Sequence, residues 1–434
     1  MSLKELCGFS KLSKLEKLNF VVDEYLNASE NVKKDFLSCA YENEKFQRIH
    51  DQFSENTISN FHLPYGVVPH LLMNGVDYCV PMVIEESSVV AACSRSAKFW
   101  KRRGGFHAEV ISKIKTGQVH FYYTGSIKKL RKIFNENKST LLTHVKEINC
   151  NMSKRGGGIL DLALIDKTHD EAHYYQLSLN FDTCDAQGAN YINTNLETLA
   201  FEFKKLFSDN ELEIIFSIVS NYTPNSLVKC YITCAISELH DEQIGMSPDV
   251  FAARFKKAVK ISQIDITRAV THNKGIMNGV DAVAIATGND FRSIEACVHA
   301  FASKEGRYRG LTNISLDNNM FYYELIIPLS VGTVGGLTNL HPLASYSLNM
   351  LKKPHAEDLM KIMACVGLAQ NFAAIRSLVT SGIQKGHMKM HLINILNYFE
   401  ASEPEKDLAF LFFKDKRVSF NDVRNFLGRD KQLQ

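Results

Sequence analysis

Between about residues 113 and 222 the hydrophobic pattern alternates between two periods in an order that few folds can satisfy. The run Val119-His-Phe-Tyr-Tyr123 reads as a strand, and a helical stretch follows from Ser126 to about Asn137. Ile159–Ile165 and Tyr174–Phe181 alternate or stay aliphatic, as half-buried strands do. From about Ala189 to Phe207 the period lengthens again and places Ile192, Leu196, Leu199 and Phe203 on one helical face. Glu213–Val219 supplies a last strand. The order β-α-β-β-α-β is that of a ferredoxin-like unit, with its helices over one face of an antiparallel sheet. No Gly-x-Gly-x-x-Gly follows a strand, which disfavours a Rossmann domain.

At 434 residues the chain is too long for one compact core. Segments 1–112 and 223–378, richer in helix signals and glycine loops, are expected to form one large mixed helical and sheet domain. The small domain, 113–222, interrupts it, so the fold class is α+β. Residues 379–434 read as a C-terminal helical flap. One helix runs from about Met388 to Phe399, Pro404 marks a break, and another starts at Ser419 with Asp422 in a capping-box-like position. A net charge of +3 gives no reason to expect nucleic acid. No uninterrupted apolar stretch approaches the ~20 residues that cross a bilayer. The N-terminus carries a helical period (Leu12, Leu15, Leu18, Val22, Tyr25) and no signal-peptide core. The ten cysteines lack metal or disulfide spacing and read as free thiols. A cytoplasmic protein with no membrane partner and no metal is the expectation.

Several strings carry chemistry. Thr271-His-Asn-Lys-Gly-Ile-Met-Asn-Gly279 reads as a polar, glycine-rich loop presenting Lys274, and Gly288–Arg292 as a second loop presenting Asp290. A carboxylate close to that ammonium would hold it and tune its proton affinity, although such a pair is commonly an ordinary surface ion pair. Glu85 and Glu86 stand just before a helix, where acids also serve the helix dipole. Asp185-Ala186-Gln187-Gly188-Ala-Asn190 falls between the third strand and second helix of the small unit. There Gly188 lets backbone amides approach an anion, or simply makes a tight turn. Gly332-Thr-Val-Gly-Gly336 needs close backbone approach or positive φ. Lys98, Lys101, Arg102 and Arg103 form a small basic cluster, and His387 and His391 are four apart without a third metal ligand.

These strings, in this order from about Glu55 to His387, resemble the 3-hydroxy-3-methylglutaryl-CoA (HMG-CoA) reductases, specifically the class II, soluble bacterial branch. Leu63-Pro-Tyr, Thr271-His-Asn-Lys-Gly and Gly367-Leu-Ala-Gln-Asn371 carry the class. The resemblance implies reduction of a thioester to an alcohol with two nicotinamide equivalents, giving mevalonate and CoA. It casts Glu86 as catalytic acid, Lys274 as oxyanion stabiliser, Asp290 as its tuner and His387 as donor to the CoA thiolate. It assigns Asp185, Ala186, Gln187, Gly188 and Asn190 to the cofactor, and Ser88, Arg268 and Asn278 to the substrate. A homodimer or an assembly of dimers is also implied, with Glu55-Asn-Thr-Ile-Ser59 at its interface. The chain departs from the family pattern at Ser59, Ser87 and Gln187.

Lys154 and Arg155 before Gly156 favour NADPH, while the nearby Glu147 leaves NADH as the alternative. Two other readings stay open: a mevalonate-oxidising enzyme of the same family, and a non-catalytic CoA- or nucleotide-binding protein that keeps the fold.

Overall fold

The computed structural model describes residues 8–148, 150–208, 210–380, 382–414, 416 and 418–429; the side chains of 147, 148, 150, 151, 243, 339 and 383–390 lie outside that description. The first half carries α1 (Lys14–Tyr25), α2 (Glu30–Ser38), α3 (Glu44–Asp51), β1 (Tyr65–Met73), β2 (Val76–Val83), α4 (Val89–Lys101) and β3 (His107–Lys113). Next come β4 (Lys115–Tyr123), α5 (Ile127–Ile148), α6 (Cys150–Lys154), β5 (Gly158–Asp166), β6 (Tyr174–Asp182), α7 (Ala189–Lys204) and β7 (Leu212–Val219). The chain continues through β8 (Ser226–Ala235), α8 (Pro248–Ile264), α9 (Ile266–Ala286), α10 (Phe291–Ala302), β9 (Thr312–Ser315) and β10 (Met320–Pro328). It ends in α11 (Leu337–Leu340), α12 (Pro342–Met350), α13 (Ala356–Val379), α14 (Ile383–Tyr398), α15 (Glu403–Phe412) and α16 (Phe420–Leu427).

The α+β, ferredoxin-like expectation holds for the small sheet. Its order is β5-β6-β4-β7 with every pair antiparallel. Alternate residues of β4 (Val119, Phe121, Tyr123) and β6 (Tyr175, Leu177, Leu179, Phe181) are buried on one face. They meet Ile192, Leu196, Leu199 and Phe203 of α7 and Leu130 and Phe134 of α5. Each such side chain contributes about 1.5–3 kcal/mol of burial. Helix α5 extends past the expected Asn137 to Ile148, because Leu141 and Val145 keep its apolar stripe and no glycine or proline interrupts it.

The larger core joins both flanks. Strands β3-β8-β10-β9 form an antiparallel sheet, and β1 and β2 make a hairpin at Asn74-Gly75. Both turn residues have positive φ, 48° and 79°, as the favoured two-residue hairpin turn requires. Helix α13 runs through this core with α4, α8 and α9 around it. By length and composition alone α13 could span a bilayer, although charged and polar residues interrupt its apolar run. In the fold, 72% of its most apolar window is buried inside the protein. Its apolarity is that of a core helix.

One residue, Ile114, separates β3 of the large sheet from β4 of the small one. The C-terminal helices gather around their own cluster of Leu392, Leu396, Phe399, Ala409, Phe413 and Val423. Pro404 does not lie in a break between helices. It sits in the first turn of α15, where a missing N–H costs nothing, and Ser402 with Glu405 closes a capping box. Ser419 caps α16 by accepting from the Asp422 N–H, as expected.

Candidate active site

Lys274 does not lie in a loop. It occupies the middle of the 21-residue α9, and the glycines around it serve packing. A Cβ on Gly279 would stand 2.8 Å from the Val366 carbonyl oxygen of α13. One on Gly367 would meet Ile276 and Val280 of α9 at 3.0 Å each. Glycine at these positions lets the two helices close to backbone contact. The other polar residues of the motif anchor α9. His272 is buried and bonds Thr312 Oγ1 at 2.7 Å, and burial pushes its pKa down to about 3, so the ring is neutral. Asn273 donates to the Arg309 carbonyl at 2.9 Å and accepts from the Leu311 N–H at 3.0 Å. Asn371 of α13 donates to the His272 carbonyl.

With those groups fixed inward, Lys274, Asn278 and Asp281 line the opposite stripe of α9 at intervals of four and three. The Lys274 ammonium donates to Glu86, which stands just before α4. Their side chains remain 56% and 37% exposed, so this ion pair is open to a reactant. Ser88, the N-cap of α4, holds a left-handed conformation (φ 70°) and its hydroxyl donates to the Ser87 carbonyl. Arg268, in the first turn of α9, is half buried, and that burial lowers its pKa. Asn278 is also half buried.

Asp290 does lie at a loop end, but its bonds differ from the expected ones. It caps α10 by accepting from the Ser293 N–H at 3.2 Å and pairs with Arg292 at 3.4 Å, while Lys274 turns to Glu86. His387 falls in the first half of α14, its side chain outside the described residues; His391, one turn on, is exposed. The basic cluster is partly structural. Arg103 donates to the Phe99 and Glu238 carbonyls, and Lys101 pairs with Asp77.

A second set of residues meets where the two sheets join. Asp185 reaches across to α13: one carboxylate oxygen accepts from the Ala356 N–H at 2.7 Å and the other pairs with His355 Nδ1 at 2.8 Å. Burial would raise the Asp185 pKa, but those two bonds outweigh it and the carboxyl ends below its ordinary value. Backbone groups close the joint. Thr333 N–H donates to the Asp185 carbonyl, Gly332 N–H donates to Asn289 Oδ1, and a Cβ on Gly332 would stand 2.5 Å from the Gln187 nitrogen. Gly332 thus supplies the close approach and Gly335 and Gly336 the positive φ (83° and 54°).

Beneath this joint sits Lys115, 4% exposed. Its ammonium donates to Thr183 Oγ1 at 2.8 Å, to the Ala186 and Gln187 carbonyls at 2.7 and 3.0 Å, and to the Val331 carbonyl at 3.4 Å. Burial pushes its pKa down to about 8, while four oxygens around Nζ favour the charged form at neutral pH. Lys115 thereby fixes the 183–188 loop against the 331–334 loop. Sequence reasoning missed it, because a lysine at a strand start reads as an edge charge; its faint signal was its in-phase place with buried Val119 and Phe121.

The 185–190 segment runs into the start of a helix. Gly188 (φ 88°) is the N-cap of the 16-residue α7, and its conformation leaves free amide groups at the helix start. The Cys184 thiol donates to the Arg155 carbonyl at 3.3 Å, which sets the Lys154-Arg155 turn beside the same loop.

Comparisons with known proteins agree with this arrangement. The family model described as hydroxymethylglutaryl-coenzyme A reductase matches residues 16–392. A reductase of that name from Archaeoglobus fulgidus is 33% identical, over 97% of this chain and 94% of its own length. A probable one from Borreliella burgdorferi is 34% identical over 95% and 94%. A class II reductase structure from Streptococcus pneumoniae, bound to NADPH in open conformations, superposes with a TM-score of 0.72 at 37% identity, covering 86% of this chain and 99% of its own. A second structure of the S. pneumoniae enzyme covers 97% and 98% at 36% identity, with the same TM-score. With the match spanning both sheets and every motif from Glu86 to Asp290, the chain belongs to the HMG-CoA reductase family of oxidoreductases, in its class II branch.

Proposed function

We propose that this protein reduces HMG-CoA to mevalonate and CoA at the cleft where Glu86 meets Lys274, using two reduced nicotinamide cofactors per substrate. The observation that carries it is that pair: an open lysine–carboxylate contact on a helix whose adjacent His272 and Asn273 are tied inward. A nicotinamide held at Asp185, Ala186, Gln187, Gly188 and Asn190 supplies the hydrides. Lys274 places a fixed positive charge beside the oxygen that becomes anionic, a contribution worth about two to three powers of ten in such sites. Glu86 is the proton donor for that oxygen. Asp290 tunes Lys274 once it exchanges Arg292 for the ammonium. His387, on the C-terminal helical flap (379–434), protonates the departing CoA thiolate. Arg268 and Asn278 hold the HMG carboxylate and the lysine, and Ser88 contacts substrate.

Residues 113–222 are the nicotinamide-binding unit in this reading, and 1–112 with 223–378 the substrate and CoA unit. NADPH is the preferred reductant, supported by the basic turn at Lys154-Arg155 and by the NADPH-bound S. pneumoniae relative; NADH is the alternative. No metal enters the chemistry. The working form in this reading is a cytoplasmic homodimer or assembly of dimers.

The test follows nicotinamide absorbance with HMG-CoA and NADPH or NADH in parallel, with a thiol assay for CoA. Two cofactors oxidised and one CoA released per substrate is the expected result. If mevalonate plus CoA alone drives cofactor reduction, the oxidative reading replaces it. Silence in both directions from folded protein overturns catalysis.

A further inference from the structure

Asp185 belongs to the small sheet by its place in the chain and to the large core by its side chain. It follows β6 and opens the 185–190 turn. Both of its carboxylate oxygens are occupied at the start of α13. Oδ1 accepts the Ala356 N–H at 2.7 Å, and Oδ2 pairs with His355 Nδ1 at 2.8 Å. Ala356 is the first residue of α13, so its N–H is among those that no carbonyl of the helix can reach. A second tie runs beside the first. Lys113, which ends β3, pairs with Asp182 at 3.3 Å and with Glu357 in the first turn of α13 at 2.8 Å.

Helix α13 carries that position to the helix that bears Lys274. Roughly 15–22 Å along its axis from Ala356, at the helical rise per residue, lie Val366 and Asn371. A Cβ on Gly279 of α9 would meet the Val366 carbonyl, Gly367 faces Ile276 and Val280, and Asn371 Nδ2 donates to the His272 carbonyl at 2.8 Å. These contacts hold α9 on either side of Lys274. Most of α13 from Leu359 to Arg376 is buried. A helix packed this closely passes a shift of its first turn along its length, because the core around it does not yield.

Resting on the reduction proposed above, we propose that the Asp185 carboxylate is a positioning group: it locks the cofactor turn to the first turn of α13, and α13 sets where that turn stands relative to Lys274. Contact with the cofactor then falls to the backbone of the 185–190 turn and to the residues after Asp185. The carboxylate itself keeps the register between the hydride donor and the ammonium. Register matters because a misplacement of about 1 Å at a reacting centre can cost as much as two powers of ten in rate. Lys115 and this clamp act on different things. Lys115 shapes the turn from within, through the Ala186 and Gln187 carbonyls, whereas Asp185 fixes the turn to a separate element.

The test compares wild type with Asp185→Ala, Asp185→Asn, Ala356→Pro and the double variant Asp185→Ala/Ala356→Pro, each checked for folding by circular dichroism. Ala356→Pro opens the clamp from the α13 side. Proline suits the first position of a helix, and His355 already has the extended backbone (φ −69°, ψ 164°) that a following proline requires. What is lost is the N–H that Asp185 holds. Asp185→Ala and Ala356→Pro should each lower kcat by roughly one power of ten, and the double variant should be no worse than either. The NADPH dissociation constant, read by cofactor fluorescence, should hardly move. Asp185→Asn keeps an oxygen for the Ala356 N–H and should recover most of the loss. Hydrogen exchange should rise together at 183–188 and 272–279 in Ala356→Pro, and in Asp185→Ala should the proline variant not fold. Wild-type kcat in Ala356→Pro, with NADPH affinity lost in Asp185→Ala, makes the carboxylate a cofactor ligand and overturns the proposal, as additive losses do. Loosening confined to the first turn of α13 also overturns it, since a merely local cap gives that result. A wild type that oxidises no cofactor with HMG-CoA overturns instead the reduction beneath it, and the paired hydrogen exchange still decides whether the clamp reaches α9.

Discussion

Two lysines, Lys274 in the middle of α9 and Lys115 at the start of β4, stand in opposite physical settings. Among the described residues Lys274 pairs with Glu86 alone, and over half its side chain is in solvent. Lys115 is 4% exposed and surrounded by four oxygens, none of them a carboxylate. The first is held by a single exchangeable contact, so a ligand can replace it at small cost. The second is over-determined, and moving it would strand a buried charge and several carbonyls at once. A reactive charge needs freedom to change partners; a structural one needs the opposite.

Truncating the two should separate those roles. Lys274→Ala is expected to lower kcat by about two to three powers of ten. Its melting temperature should barely move, since an exposed ion pair contributes only about 0–1 kcal/mol. Lys115→Met should invert the pattern. It should lose about 3 kcal/mol of stability, because buried acceptors are left without a donor. The KM for the nicotinamide should rise more than kcat falls, since the 183–188 loop loses its brace. Denaturant melts and steady-state kinetics on both variants check this. A Lys115→Met protein as stable as wild type breaks the comparison.

The same contrast explains what could be read from the sequence. The small sheet was legible because its signal is local: Ile192, Leu196, Leu199 and Phe203 repeat at helical spacing and are all fully buried. The resemblance assigned Glu86 and Lys274, 188 residues apart, to one site, and no local pattern carried it; their direct pairing was not expected, since Asp290 was the carboxylate read beside Lys274. The setting of Lys274 was misread because its glycines look like turn formers. Their reason lies on another helix, at Val366, and becomes visible only once α9 and α13 are packed. Lys115 and His355 were missed for the same cause: each takes its meaning from partners distant in sequence. Asp290 shows the converse, a residue whose bonds here are local, to Ser293 and Arg292.

Gly279→Ala sharpens the comparison by disturbing Lys274 from behind. Alanine gains up to about 1 kcal/mol in helix propensity. The added Cβ, however, would stand 2.8 Å from a backbone oxygen that cannot swing aside. Overpacking of this kind costs about 1–3 kcal/mol, so modest net destabilisation is expected. If α9 shifts as a unit, activity should fall more than stability accounts for, because the site lies on its other face. Equal stability and equal activity would mean that the close approach of α9 and α13 is dispensable.

The smallest effect is expected at the other end of the joint, where Asp185 meets His355 and the N-terminus of α13. The two partners titrate in opposite senses. The bond to Asp185 raises the His355 pKa above its ordinary 6.5, so its contribution is whole below 6.5 and is lost as pH rises through the raised value. Asp185 lies below its ordinary 3.8, so its contribution is whole above 3.8 and is lost as pH falls through the lowered value. The clamp is therefore complete between those two ordinary values and weakens on the alkaline side at His355 alone. His355 is exposed, and solvent screens most of the effect. Wild type is expected to show a small fall in melting temperature from about pH 6 to pH 8, and His355→Gln should remove it while the Ala356 N–H bond to Asp185 persists. If that slope survives in His355→Gln, the alkaline sensitivity arises elsewhere. Lys115 cannot be its source, because a buried lysine whose pKa is lowered to about 8 adds stability as pH rises from 8 toward its ordinary 10.5.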